Sequence, residues 1–154
     1  RILGINFLLS VLTLVWVADI FAYFAGRAFG LRFTRNKLAP SISPGKSWEG
    51  VWGGLAGVLC LAVAWVAADR YFQADVASFY TRLYSAGWWF LAIAVVFMVA
   101  MSVAGDLVES LIKRSAGVKD SSGLLPGHGG VLDRVDALLP TLPLALMLTR
   151  LISV

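Results

Sequence analysis

The chain has 154 residues, of which 59% are hydrophobic and only 14% charged, with a formal net charge of +4 at pH 7. A soluble domain carries about 25% charged residues, so this composition excludes an ordinary soluble globule. The single cysteine, Cys60, excludes a disulfide within the chain.

The mean hydropathy of +0.81 is concentrated in long uncharged runs. Ile2–Ala18 is the first, and with Asp19 included it predicts a helix over about Leu3–Ala25. Gly26–Glu49 follows as a polar loop rich in Gly, Pro, Ser and basic residues. Gly50–Ala68 is the second run. About 20 apolar residues cross the hydrocarbon core, so each of these reads as a membrane span. Asp69–Ala86 interleaves Tyr71, Phe72, Phe79, Tyr80 and Tyr84 with charges, which predicts a short interfacial helix, because aromatic rings favour the membrane boundary. Leu83–Gly105 is again uncharged. It predicts a third span beginning at Gly87, anchored by Trp88 and Trp89, whose helix continues through Asp106 to about Arg114. Gly117–Gly130 reads as a loop. A fourth span, about Ala137–Val154, contains Pro140 and Pro143 and is expected to kink. Backbone in lipid must satisfy its own hydrogen bonds, so the expected fold is all-α, a polytopic bundle of about four transmembrane helices with polar loops.

Charge sets the orientation. Arg27, Arg32, Arg35, Lys37 and Lys46 lie between spans one and two, and Lys113, Arg114, Lys119 and Arg134 between spans three and four. Only Arg70 and Arg82 lie in the other connection. The positive-inside rule puts both basic loops in the cytoplasm. The chain begins with Arg rather than Met and is read as a portion of a longer membrane protein.

The stretch Ser110–Asp136, SLIKRSAGVKDSSGLLPGHGGVLDRVD, holds the only histidine. Charge beside membrane spans is costly unless it is used. Asp106, Glu109 and Lys113 share one face of a helix, as do Asp133 and Asp136. Two such helix ends can hold Mg²⁺, which takes one or two carboxylates and completes its octahedron with water and substrate phosphates. Pro126-Gly127-His128-Gly129-Gly130 precedes a helix, where glycines admit an anion to backbone N–H groups and His128 can donate to a phosphate oxygen. It is not a Walker loop, since no GxxxxGK[ST] occurs. Lys113, Arg114, Lys119 and Arg134 can neutralise a polyphosphate. A second polar cluster, Ser43-Pro44-Gly45-Lys46-Ser47-Trp48-Glu49-Gly50, offers Lys46 and Ser47 to phosphate. Asp19 and Tyr23 are one turn apart on span one, with Arg27 a turn further; Asp19 is either an end charge or a site residue. Plainer readings coexist with these: solvated ion pairs for the acids, a capping turn for the glycines, and topology alone for the basic residues.

The motifs resemble those of the CTP-dependent phosphatidate cytidylyltransferases, or CDP-diacylglycerol synthases. The resemblance rests on Ser110, Lys113-Arg114, Lys119-Asp120, His128-Gly129-Gly130 and Asp133-Arg134-Val135-Asp136, with Asp19 to Arg27 and the Ser43–Gly50 stretch upstream. It implies that residues 1–154 form one membrane-embedded catalytic portion of a longer enzyme, in an inner (cytoplasmic) membrane of bacterial type. The implied reaction converts CTP and phosphatidate to CDP-diacylglycerol and pyrophosphate. It implies catalytic roles for Asp106, Lys113, Asp133 and Asp136, with Mg²⁺ held by Asp106 and Asp133 and by Asp136 and Glu109 as second choices. Substrate contacts would come from Ser43, Lys46, Ser47, Arg114, Lys119, Asp120, His128, Gly129, Gly130 and Arg134. A second, monovalent metal and a homodimer stay open, and no nucleic-acid partner is expected. Two other readings stand beside this one. A CTP-dependent polyprenol kinase would send an alcohol to the γ-phosphorus and need a base. A transporter or channel would also carry intramembrane acids, but at mid-span or on broken helices.

Overall fold

The computed structural model describes residues 4–30, 32–34, 36–118, 121–122 and 135–152. Among these are five helices and one small sheet: α1 (Ile5–Phe29), β1 (Lys37–Ala39), β2 (Ser43–Ser47), α2 (Trp48–Tyr71), α3 (Phe79–Ser85), α4 (Trp88–Ser115) and α5 (Leu138–Ile152). Helices α1, α2 and α4, with 25, 24 and 28 residues, are long and apolar enough to cross a membrane. Their outward faces are apolar too, with Trp16, Phe24, Trp52 and Ile93 exposed. Such faces suit hydrocarbon rather than water, and the chain is an integral membrane protein built as a helical bundle.

Small residues let α1 and α2 approach closely. A Cβ added at Gly50 or Gly54 would stand 2.9 Å from the carbonyl oxygen of Ala22 or 2.8 Å from that of Ala18, and one at Gly53 would collide with the Ala25 methyl. Helices in lipid gain little by hiding apolar surface from each other, so close packing through such stripes is what holds them together. The core lies between this pair and the other helices: Val11 and Leu14 of α1, Val58 of α2, Val95 and Met98 of α4, and Ala145 of α5 are fully buried. Thr141 and Thr149 also face inward, and each hydroxyl donates to a carbonyl one turn back, Ala137 O at 2.9 Å and Ala145 O at 3.0 Å, so neither is left unsatisfied.

The expected interfacial helix is shorter and deeper than its sequence suggests. Tyr71 and Phe72 end α2 in the open, but Phe79, Tyr80 and Leu83 of α3 are completely buried and plug this end of the bundle. A polar clasp holds the plug. The Asp69 carboxylate accepts from Asn6 Nδ2 at 2.9 Å, from Ser78 N at 3.0 Å and from Thr81 Oγ1 at 2.6 Å, while Trp65 Nε1 donates to Asn6 Oδ1 at 3.0 Å. Three helices are thereby tied at the end remote from the basic loops. Gly87, at φ +133, then reverses the chain into α4, a conformation open to glycine.

Two further differences concern the basic end. The loop expected over Gly26–Glu49 contains an antiparallel hairpin, with Lys37 opposite Ser47 and Ala39 opposite Ser43 and an irregular register between them. Strands of three and five residues without alternating hydrophobicity carry no strand signal of their own; they pair because the packed ends of α1 and α2 bring them together. The fourth span is a helix of 15 residues with Pro143 inside it, shorter than the three spanning helices. Helix α4, by contrast, continues past Asp106 to Ser115 as expected.

Candidate functional site

The end bearing the basic loops gathers side chains from four elements. Helix α1 supplies Asp19, Tyr23 and Arg27, spaced four residues apart and therefore on one face. Strand β2 supplies Lys46, which is held on a short lead because Ser47 caps α2, its hydroxyl accepting from Gly50 N at 3.2 Å. Helix α4 supplies Asp106. The turn before α5 supplies Asp136, whose Oδ1 accepts from Ala137 N at 2.7 Å. Gly105 is why the last two meet: a Cβ there would stand 2.7 Å from Pro140 Cγ and 3.0 Å from Asp136 O. Only a residue without a side chain lets the start of α5 lie against α4 next to Asp106.

Among the described residues three carboxylates thus gather near one ammonium, in a knot where only Asp106 pairs with it directly. Lys46 Nζ forms an ion pair with the Asp106 carboxylate. Asp19 lies within electrostatic reach of both Asp106 and Lys46. Burial raises the Asp136 carboxyl above the ordinary aspartate range; the hydrogen bond from Ala137 N opposes this, the neighbouring charges of Asp106 and Asp19 add to it, and Lys46 pulls weakly the other way. Among the described residues Lys46 is the cation paired with these acids. Ser110 Oγ also donates to Asp106 Oδ1, at 3.3 Å. A cavity of about 410 Å³ opens here, with Asp19, Tyr23, Arg27, Lys46, Ser47 and Asp106 as its polar lining.

The residues singled out in the sequence divide into four groups. Asp106, Lys46, Ser47 and Asp136 come together. Glu109 and Lys113 pair with each other at 2.7 Å, one turn further along α4, so the expected face of Asp106, Glu109 and Lys113 splits into two ion pairs with different partners. Ser43 lies in β2 opposite Ala39, and Arg114 Nε donates to Ile42 O at 3.5 Å, tying the end of α4 to the hairpin turn. Lys119, Asp120, His128, Gly129, Gly130, Asp133 and Arg134 lie outside the described residues. Asp19 is the residue that sequence reasoning left undecided, and the structure puts it in the knot; an acid within an apolar span was the available signal. Glu49 is a second surprise. It is buried, and its Oε1 accepts from Thr34 N at 2.8 Å, Thr34 Oγ1 at 2.7 Å and Phe33 N at 3.2 Å. It latches the chain leaving α1 onto the start of α2 and so fixes the hairpin that carries Lys46.

Among the described residues no three His, Cys, Asp or Glu side chains form a group that could hold a metal ion by themselves. Mg²⁺ does not need three. It is bound by one or two carboxylates with substrate phosphates, and hard oxygen donors are what Asp106 and Asp136 offer.

Residues 2–152 match the model of the cytidylyltransferase family. The chain belongs to the cytidylyltransferase family. Its relatives include proteins named phosphatidate cytidylyltransferase from Haemophilus influenzae, 51% identical over 91% of this chain and 44% of the relative, and from Pseudomonas aeruginosa, 48% identical over 88% and 44%. A third, from Thermotoga maritima, is 40% identical over 94% of this chain and 49% of the relative. The chain thus spans a little under half the length of these relatives. Membership of the family gives the knot at the cavity mouth a chemistry to be tested against, the transfer of a cytidylyl group.

Proposed function

We propose that this chain carries the catalytic residues of an enzyme that makes CDP-diacylglycerol and pyrophosphate from CTP and phosphatidate at the cytoplasmic face of a bacterial inner membrane. The observation that carries the reading is the convergence of Lys46, Asp106, Asp136 and Asp19 at one end of apolar spans, in a chain whose relatives bear the name phosphatidate cytidylyltransferase. The basic loops at that end support a cytoplasmic orientation.

The chemistry asks for placement rather than for a strong base. An oxygen of the phosphatidate phosphate attacks the α-phosphorus of CTP, the bond from that phosphorus to the β-phosphate oxygen breaks, and pyrophosphate leaves with the electron pair. The nucleophile is already an anion, so the enzyme must hold two anions in line and neutralise the charge that builds on the leaving group. Asp106 and Asp136, with Asp133, would hold Mg²⁺. When bound, Mg²⁺ would offset the negative charge of the phosphates. Lys46 holds Asp106 in position and adds a cation at the cavity mouth. Lys113, Arg114, Lys119, His128 and Arg134 are proposed as phosphate contacts on the nucleotide. Ser43, Ser47, Asp120, Gly129 and Gly130 complete the proposed substrate-binding set, and a homodimer is a further expectation.

The test uses the full-length protein in detergent–phosphatidate micelles. Mg²⁺-dependent release of pyrophosphate from CTP, with CDP-diacylglycerol as the lipid product, is the expected result. Release of CDP with a polyprenol acceptor would convert the reading to a kinase. No CTP consumption with either lipid would overturn it.

A further inference from the structure

The cavity beside the carboxylate knot has two chemical halves. Its floor is apolar, made by Ala18, Val51, Gly54, Val99 and Val103 from three spanning helices. Its rim carries Tyr23 and Arg27, whose guanidinium Nη1 donates to the tyrosine hydroxyl at 3.1 Å. The two cations on the lining are not equivalent. Lys46 is committed to Asp106, whereas among the described residues Arg27 has no carboxylate within ion-pair distance and is exposed at the mouth. The same two helices, α1 and α2, present Phe24 and Trp52 to the surroundings, 63% and 64% exposed, as lipid-facing residues do.

From this we infer that the cavity is the seat of the lipid substrate, a phosphate monoester on an apolar tail, and that Arg27 and Tyr23 are its phosphate contacts. The inference rests on the proposed reaction and divides its two substrates between sites. A cytosine and ribose in this cavity would bury several donors and acceptors against valine and alanine, each unpartnered polar group costing free energy. A glycerol backbone, whose ester oxygens accept but which has no donor to satisfy, and its first methylenes would lose far less there. Arg27 offers the planar fork that pairs with two phosphate oxygens, and the Tyr23 hydroxyl, already accepting from Arg27, keeps its own proton to donate to a third. The phosphate would then lie along α1 one to two turns from Asp19, between lipid and the knot where the α-phosphorus of CTP is to be met.

Nucleotide phosphates share this chemistry, so the experiment must separate the sources. With full-length protein in mixed micelles, Arg27→Gln should raise the KM for phosphatidate at least about tenfold, equivalent to about 1.4 kcal/mol, and leave the KM for CTP within about twofold. Arg27→Lys should recover only part of the loss, and Tyr23→Phe should give a smaller change of the same kind. Val103→Phe keeps every polar group but fills the floor, so it too should weaken phosphatidate and spare CTP; it decides the matter if the Arg27 variants do not fold. Binding of short-chain phosphatidate without CTP, followed by tryptophan fluorescence, should weaken in Arg27→Gln and Val103→Phe alike. A rise in the KM for CTP alone, or phosphatidate binding unchanged in both variants, would overturn the assignment while leaving the reaction intact. Phosphatidate binding that depends on Arg27 in a protein that never consumes CTP would do the reverse, sinking the reaction and keeping the lipid site.

Discussion

Asp106 and Lys46 form an ion pair with roughly a quarter of each side chain exposed, and such a pair adds little stability. Its value lies in holding a carboxylate and an ammonium at the cavity mouth. Asp106→Asn removes one charge with almost no change of shape, so it isolates the electrostatic role. Loss of a group that merely supports a metal ligand costs ten- to a hundredfold, so loss of the ligand itself should cost turnover more than about a hundredfold, with thermal unfolding in detergent unchanged within a degree or two. Near-normal turnover with ordinary Mg²⁺ dependence would remove Asp106 from the metal. Arg134 poses a different question, because positive-inside topology wants a basic residue there whatever its role. Topology needs charge, whereas a two-point phosphate contact needs the guanidinium fork. Arg134→Lys should therefore insert normally but turn over at least about tenfold more slowly, about 1.4 kcal/mol of transition-state stabilisation. Unchanged turnover would leave Arg134 as a topology determinant.

Elements meet in this protein where side chains are missing. The α1–α2 seam is lined by Gly50, Gly53, Gly54 and Gly57, and the α4–α5 contact by Gly105. Gly54 is the sharpest test, because what stands 2.8 Å from its would-be Cβ is a backbone oxygen, Ala18 O, which cannot swing aside. Ala18 also immediately precedes Asp19. Gly54→Val should thus destabilise the fold by about 1–3 kcal/mol through overpacking and lower turnover as Asp19 is pushed off the knot. Gly45→Val, at a glycine with nothing within 4 Å, should leave the melting temperature unchanged. Equal melting temperatures for the two variants would mean that the seam is looser than its contacts indicate. At the far end, the Asp69 clasp and the buried Phe79–Tyr80 plug fix the same helices without touching the site.

For the whole molecule, the basic connections and the carboxylate knot share one end and the aromatic plug occupies the other. The expected orientation puts the knot in the cytoplasm. Cys60 is exposed on α2, so labelling begins from a Cys60→Ser background. A cysteine at Gly45 or Ser122 should react with a membrane-impermeant maleimide only from the cytoplasmic side, and one at the exposed Asp75 only from the opposite side. Reaction of the Ser122 position from outside would invert the molecule and separate the knot from the compartment that holds nucleotides.

Hydropathy alone determined the three spans, because crossing hydrocarbon requires a run of apolar residues that leaves a mark in any sequence. Charge asymmetry marked the end where chemistry was to be sought, and α4 ran through Asp106 because no proline interrupts the chain between Gly87 and Ser115. The depth of α3 was not legible: Phe79 and Tyr80 look like Tyr71 and Phe72 in sequence, and only the clasp on Asp69 turns one pair inward and leaves the other outside. The hairpin was hidden for a similar reason, since its pairing is imposed by the ends of two helices rather than by its own residues. In the site, sequence spacing put Asp106 with Glu109 and Lys113, neighbours on one helix. The tertiary structure instead joined Asp106 to Lys46, Asp19 and Asp136, residues far apart in the chain. Spacing along a helix reports only which residues share a face. What that face meets is decided by how closely the helices pack, and here that was decided by glycines, which carry no charge, no hydrophobic period and no chemistry to mark them as the residues that assemble the site.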